Sequence, residues 1–366
     1  MSPRSFDFAI VGAGMAGASL AAELAPYASV LLLEAESQPG YHATGRSAAF
    51  WDECYGGPHV NPLTLASGPF LREHGLLSPR GAIYIGRAAD SSMLDAFMEE
   101  FRETGATIER VDQSFMRSKI AGLSAEWCDA VWAPKCADID VAELHSHYLR
   151  AARTAGAEIV PRARLNSAEW RAGFWRLGSD QGGEWRAANL VNAAGAWADD
   201  IALMAGVGPL GIKPYRRTVA QLRTNPPTAP DLPLTIDIGG SFYFKPESGK
   251  LWLSPHDETP SAPVDAAPDE LDIAKAIAAF ELVVDCEIEA VEHKWAGLRS
   301  FAPDRIPVLG RDPRRDRFVW FAGQGGFGIQ TAPAAARMIA QALLGHPSDT
   351  MTSSVDSEAY TPGRLL

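Results

Sequence analysis

Gly12-Ala13-Gly14-Met15-Ala16-Gly17 places three glycines where an apolar run gives way to small, helix-forming residues, and Glu34 follows 20 residues after Gly14. That spacing suits a loop that receives a pyrophosphate. Gly12 permits a tight turn, Gly14 lets phosphate oxygens approach the amides at a helix start, and Gly17 lets that helix pack closely on the preceding strand. A carboxylate at Glu34 accepts from ribose hydroxyls and repels a 2′-phosphate, which argues against NADP. Met15 and Ala16 at the helix start and Ala35 after the acid complete the expected contacts of a dinucleotide.

Two further small-residue stretches choose FAD over NAD. The first, Gln38-Pro39-Gly40-Tyr41-His42-Ala43-Thr44-Gly45-Arg46-Ser47-Ala48-Ala49, comes where an NAD enzyme has no evident use for such a loop, and it offers His42, Thr44, Gly45, Arg46, Ser47 and Ala48 as contacts. The second, Gly323-Gln324-Gly325-Gly326-Phe327-Gly328-Ile329-Gln330-Thr331, opens a helix whose free amides and positive end suit the anionic N1/C2 carbonyl region of a reduced isoalloxazine. Gly325, Gly326, Phe327, Gly328, Ile329 and Gln330 are its expected cofactor contacts, joined by Ala194, Gly195 and Trp197. As bulky aromatic residues, Trp197 and Trp295 are also expected to pack in the core.

These loops need elements to hold them. Residues 6–11 and 30–34 read as buried strands around a helix at 15–24, a right-handed βαβ unit. Residues 82–85 read as a strand and 93–102 as a helix. The segment from Ala137 opens a helix with Asp140 at its N-cap, which stops at Gly156. Strands are expected at 158–160, 174–177 and 184–187, with a turn at 180–183, and the apolar run 189–195 reads as a separate buried strand. Strand signals at 218–222, 242–244 and 251–253 with a helix over 270–279 suggest an antiparallel substrate sheet. A strand at 318–321 and a helix over 332–344 close the chain. The resulting expectation is an α/β protein, with a Rossmann-like FAD-binding domain (1–50, 136–214 and 295–366) and an inserted antiparallel-sheet α+β substrate domain (51–135 and 215–294).

Bulk properties narrow the partners. The 366 residues are 46% hydrophobic and carry a net charge of -12 with no long Lys/Arg cluster, which argues against nucleic acid. Four cysteines without CxxC or Cys/His spacing predict free thiols, no metal and a reducing compartment. His145 and His147 are two residues apart and make a poor metal pair. The start of the chain does not resemble a signal peptide and no stretch approaches a membrane span, so a cytoplasmic location is expected.

On the fingerprint, the 40–49 loop, Leu77-Ser78-Pro79-Arg80, Ala137-Asp138-Ile139-Asp140, residues 190–197, Ser241-Phe242-Tyr243, Trp295-Ala296-Gly297-Leu298-Arg299-Ser300-Phe301 and residues 324–331, the chain resembles the D-amino acid oxidase-like superfamily of FAD-dependent oxidoreductases. Within it, the likeness is greatest to the bacterial D-arginine dehydrogenase type of D-amino acid dehydrogenase. The resemblance implies that Arg299 pairs with the substrate carboxylate, that Tyr243 hydrogen-bonds it, and that Arg217, or Arg216 if the gap is misplaced, also lines the pocket. Tyr55 matches a lid-loop tyrosine, and Gly326 and Gln330 match residues beside the amine and flavin. The chemistry asks for the same types, because a bidentate guanidinium fixes the carboxylate so that the α-hydrogen faces flavin N5.

Two departures shift the expected substrate. Members preferring basic D-amino acids carry an acid two places after Ser-Pro-Arg, where this chain has Ala82, and an expected histidine is Phe50. An unpaired cationic side chain would be costly in so apolar a pocket. Asp52 and Glu53 either restore an acidic partner or form a solvated lid. The resemblance thus implies oxidative deamination of a neutral or hydrophobic D-amino acid to an imino acid, then to a 2-oxo acid and ammonia. A glycine, sarcosine or proline-type oxidase, a 2-hydroxy acid dehydrogenase and a non-catalytic flavin-fold binding protein stand as alternatives. Covalent attachment occurs through a histidine in some relatives, but the nearest resemblance implies noncovalent FAD despite His42. The electron acceptor is left open among a quinone, another carrier and oxygen.

Overall fold

A computed structural model describes residues 4–366; residues 1–3 of the short polar N-terminus lie outside the described residues. The first strand, Arg4–Val11, leads through the glycine turn into the helix Met15–Leu24 and on to the strand Val30–Leu33, which lies parallel to the first. The parallel sheet continues on one side to Glu158–Val160 and on the other through Glu184–Asn192 to Arg315–Ala322. Both faces of Phe8–Val11, Val30–Leu33, Asn189–Asn192 and Phe318–Ala322 are buried, which explains the apolar runs in these parts of the strands. Ile10, Leu32, Val191, Val319 and Phe321 pack under the helices Met15–Leu24, Val141–Thr154 and Gly328–Leu344. Ala9, Leu31, Leu190, Phe318 and Trp320 face the opposite layer with Trp175 and Ile201.

Several expected elements differ in extent, such as the strand expected at 218–222, which runs Lys213–Asn225, and three differences bear on the architecture. Residues 184–187 and the run from Asn189 form one strand, Glu184–Asn192, because its pairing with the first strand stays in register from Phe6↔Ala187 to Phe8↔Asn189. Ala137–Ile139 is a strand of a small sheet with Phe50–Trp51 and Leu77–Pro79, and the helix begins only at Val141. The cap is nonetheless Asp140, whose side chain accepts from Glu143 N at 2.9 Å. The last helix starts at Gly328 rather than 332 and carries Pro333 inside it.

The second sheet has ten strands. It is antiparallel except where Leu234–Asp237 runs parallel to Ala82–Arg87. Its longest ladder joins Lys213–Asn225 to Glu287–Phe301, strands that run through positions 214/215 and 294/295. Side-chain alternation gives this sheet two distinct faces. Phe242, Phe244, Leu251 and Leu253 pack under the helix Glu270–Glu281 with Ile273 and Phe280. Tyr243, between the two phenylalanines, joins Phe50, Tyr84 and Ala82 on the other face. No helix among the described residues is long and apolar enough to cross a membrane. All four cysteines are free, and no cluster among the described residues could hold a metal ion.

Candidate active site

A cavity of about 460 Å³ is walled by both sheets and by the ends of their connecting loops. At its nucleotide end the chain turns at Gly12 with φ +99°, and a Cβ there would fall 2.5 Å from Ala193 O. A Cβ at Gly17 would fall 1.8 Å from Gly12 O, so Gly17 serves helix packing and does not line the cavity. Gly14, Met15 and Ala16 form the wall at the helix start, where Met15 N donates to Thr44 Oγ1 at 2.9 Å. Glu34 is buried beside Ala35 and accepts from Ala13 N at 2.9 Å and Glu36 N at 2.9 Å.

The small-residue loop runs along the cavity through His42, Thr44, Arg46, Ser47 and Ala48. Gly45 is a turn residue outside the lining, its N–H donating to Gly40 O at 2.7 Å. His42 Nε2 lies 3.1 Å from Glu36 Oε1, and its ring rests 4.8 Å from that of Trp197. Arg46 donates to Ala266 O and Ala296 O, each at 3.1 Å, and pairs with Asp265. The expectation that Trp197 and Trp295 are core is corrected here. Both are half-buried: Trp197 lines the cavity with Ala194 and Gly195, and the Trp295 indole donates to Arg46 O at 2.9 Å.

This cradle fits FAD. Two glycine positions have no room for a Cβ, a helix N-terminus whose N-cap residue, Gly14, makes no capping bond faces the cavity, and a buried carboxylate follows the second strand. The cavity continues to Gly325, Gly326, Gly328 and Ile329 at the start of the last helix, leaving space for a ring system.

Beyond that helix start stand the residues expected to hold substrate. Tyr215 pairs with Arg299 and Arg217 with Gly297 across the long ladder, so Arg217 and Arg299 are diagonal neighbours on one face. Both line the cavity with Tyr243. Arg216 points the other way, to Asp257 at 3.3 Å and Asp272 at 2.6 Å, so strand alternation places Arg217 and not Arg216 on the cavity side. Tyr55 comes from the turn that follows the strand Phe50–Trp51, its ring centroid 5.7 Å from Arg299 Cζ. Burial raises the Tyr55 phenol, with the two arginines opposing that rise. A Cβ at Gly326 would fall 2.1 Å from Tyr55 Oη and 2.8 Å from Arg299 Cζ, so glycine is what allows these groups to meet.

Phe327 and Gln330 sit behind the wall. Gln330, 1% exposed, spends its amide on the lid: Oε1 accepts from Asp52 N at 3.1 Å, and Nε2 donates to Tyr55 O at 3.0 Å and Thr64 Oγ1 at 2.9 Å. It is a positioning residue. Gln330→Ala strands these buried groups and is expected to cost about 3 kcal/mol of stability and to raise KM. Urea unfolding together with steady-state kinetics checks both effects.

Asp52 is wholly buried, not part of a solvated lid. Its carboxylate accepts from Cys54 N at 2.7 Å and from Tyr84 Oη at 3.1 Å. Burial pushes its carboxyl up to about 6 against the hydrogen bonds from Cys54 and Tyr84. The native state therefore keeps a proton that the unfolded chain has already released above its ordinary value of 3.8. Stability from this group is complete below about pH 4 and is lost as pH rises to about 6, by about 3 kcal/mol at most. Asp52→Asn is expected to flatten that slope in urea midpoints measured between pH 4 and 7.

Asp257 and His256 had no local motif to announce them. Asp257 accepts from Thr218 N at 2.7 Å and holds Arg216, while its backbone oxygen accepts from Arg217 Nε at 2.8 Å. The adjacent acids Asp257-Glu258 after an apolar strand were the one available signal. His256 packs edge-on to Tyr243 at 5.6 Å, and burial together with Arg217 and Arg299 lowers its imidazole to about 3, keeping it neutral.

A glycine-turned parallel sheet, a buried acid at the second strand and an arginine-bearing second sheet define a flavin-dependent oxidoreductase of two-sheet architecture. The chain belongs to the FAD dependent oxidoreductase family (DAO), whose match covers residues 7–342. It is 23% identical to the glycine oxidase of Bacillus licheniformis, over 95% of each chain. It is 24% identical to the bifunctional protein ThiO/ThiG of a Synechocystis species, over 98% of this chain but only 54% of that longer protein. The glycine oxidase structure from Geobacillus kaustophilus superposes with a TM-score of 0.83 at 22% identity, covering 94% of this chain and 96% of that one. Such likeness supports the FAD-binding α/β fold and points to glycine oxidase-type relatives rather than specifically to D-arginine dehydrogenases.

Proposed function

We propose that this enzyme oxidises a small α-amino acid, of the glycine or N-alkylglycine type, at its Cα–N bond. The observation that carries this reading is Arg299: its guanidinium faces the cavity beside Tyr55 and Gly326, with no hydrogen-bond acceptor or carboxylate partner among the described residues. A half-buried guanidinium that faces a cavity without a partner suits a carboxylate from outside. Glycine oxidase-type relatives support the small-substrate form of the reading. Arg299 would clamp the carboxylate, Tyr243 would donate to it, and Tyr55 would close over it. Bound FAD supplies the two-electron oxidant. The substrate gives up a hydride from Cα and a proton from nitrogen, and water converts the imino acid to a 2-oxo acid and an amine. The electrons pass on to oxygen, a quinone or another carrier.

A second reading, a neutral or apolar D-amino acid, is favoured by Phe50, which packs 4.9 Å from Tyr55 and 6.4 Å from Tyr243. Anaerobic addition of glycine, sarcosine, D-alanine and D-leucine to the flavin-loaded enzyme decides between them. Bleaching by glycine or sarcosine supports the first reading and bleaching by D-leucine alone the second. No bleaching by any amino acid removes both.

A further inference from the structure

The Tyr55 ring stands beside Arg299 at the end of the turn Asp52-Glu53-Cys54-Tyr55, and both ends of that turn are tied down. Tyr55 N donates to Asp52 O at 3.2 Å, Cys54 N donates to Asp52 Oδ1 at 2.7 Å, and Tyr84 Oη, from the strand Ala82–Arg87, donates to Asp52 Oδ2 at 3.1 Å. Gln330 holds the same two ends from the last helix, through Asp52 N and Tyr55 O. Asp52 is 0% exposed, and no cation among the described residues pairs with its carboxylate. The titratable groups around it supply none. Glu53, on the same turn, is buried and occupied with Thr107 N at 2.7 Å and Lys135 at 3.3 Å. Burial raises the phenol of Tyr84 and the thiols of Cys54 and Cys136, which keeps all three neutral, and Glu100 beyond Cys54 is another acid.

A buried acid without a cation is a costly way to build a turn, since a neutral hydrogen-bonding residue would escape the penalty of burying charge. What the charge adds is strength, because hydrogen bonds accepted by an ionised carboxylate are roughly twice as strong as neutral ones. We propose that Asp52 is a positioning residue for substrate binding: its ionised carboxylate holds the turn that sets Tyr55 beside Arg299, and loss of its negative charge loosens the grip on substrate. This inference rests on the amino-acid reading above, in which Tyr55 closes over the bound molecule. Protonation relieves the buried charge but leaves Cys54 N a neutral acceptor, so the turn is held more weakly in the form that resists unfolding better. Stability and substrate affinity therefore run in opposite directions as pH changes around the Asp52 midpoint of about 6.

The test follows KM and kcat of the FAD-loaded enzyme across that midpoint, with whichever of glycine, sarcosine, D-alanine and D-leucine reduces the flavin. We expect wild-type KM to rise by roughly three- to tenfold as pH falls through about 6, with kcat changing by less than about twofold. Asp52→Asn keeps an acceptor for Cys54 N and offers a donor to Tyr84, as the protonated acid does, and is expected to hold KM at the raised value over the whole range. Tyr84→Phe removes a donor that favours the ionised form while leaving Asp52 in place, and is expected to move the inflection to higher pH. A second readout needs no substrate: in fluorine NMR of holoenzyme labelled with fluorotyrosine, the Tyr55 line, assigned with Tyr55→Phe, should move with pH in the wild type and stand still in Asp52→Asn. The proposal is overturned by a wild-type KM that does not change across the midpoint, by a change confined to kcat, by an inflection that survives Asp52→Asn, or by one that Tyr84→Phe leaves in place. If no amino acid reduces the flavin, the reading beneath has failed and the Tyr55 line decides: a line that follows Asp52 supports the positioning of Tyr55, and a line indifferent to pH overturns it.

Discussion

Arg299→Met is expected to lower kcat/KM for the amino-acid substrate by roughly 10²- to 10³-fold while flavin stays bound. Removing one partner of a desolvated charge pair costs about 2–5 kcal/mol, much of it from the carboxylate left without a counter-ion. Methionine keeps the unbranched stem as far as the position of Nε and removes the fork beyond it, so the loss reports mainly recognition. Arg299 forms no ion pair among the described residues, so no structural network fails with it. Most of the effect should appear in KM, because the clamp already acts in the ground state, with a further fall in kcat where the carboxylate orients Cα. A KM within about threefold of wild type would remove Arg299 from its assigned place.

Gly326→Ala should be as damaging from a single methyl group. Its Cβ would land 2.1 Å from Tyr55 Oη, 2.8 Å from Arg299 Cζ and 2.9 Å from Arg299 Nε. Gly326 is not among the positive-φ glycines, so alanine meets no backbone strain there and the entire cost is spatial. The obstructing atoms lie at the ends of long side chains, so the protein folds with a stability loss of about 1–3 kcal/mol, and the clamp and the lid tyrosine move apart. A displacement of about 1 Å in a positioning group costs about 10²-fold in rate. Turnover, the flavin absorption spectrum and the thermal midpoint separate these effects. An alanine variant within tenfold of wild-type turnover would show that Tyr55 and Arg299 need not meet over this residue.

The nucleotide half was legible because its signals are local. Gly12, Gly14, Gly17 and Glu34 lie within one βαβ unit, where the strand, turn, helix and second strand form as their spacing suggests. Tyr243 and Arg299 stood in recognisable short motifs, and their alternation with buried neighbours sends them to the cavity face. The supporting residues were not legible, because the contacts that give them meaning join distant parts of the chain. Asp257 reaches Thr218 across 39 positions and Gln330 reaches Tyr55 across 275. Gln330 read as a cavity residue because it follows the glycine loop, but the first turn of the helix rotates it behind the wall. Asp52 read as a possible solvated acid because charge usually means surface, and only its hydrogen bonds from Cys54 and Tyr84 explain its burial.

The ladder between Lys213–Asn225 and Glu287–Phe301 has a mechanical consequence. It keeps Arg217 and Arg299 at a fixed offset, and its far end pairs Ser300 with Gly325 and Phe301 with Gln324, stitching the substrate sheet to the loop at the cofactor. A hinge between the two halves would have to unzip that seam. The seam therefore fixes where Arg217 and Arg299 stand relative to the glycine loop, so their distance from whatever that loop holds is set by the backbone and not by side-chain rotamers.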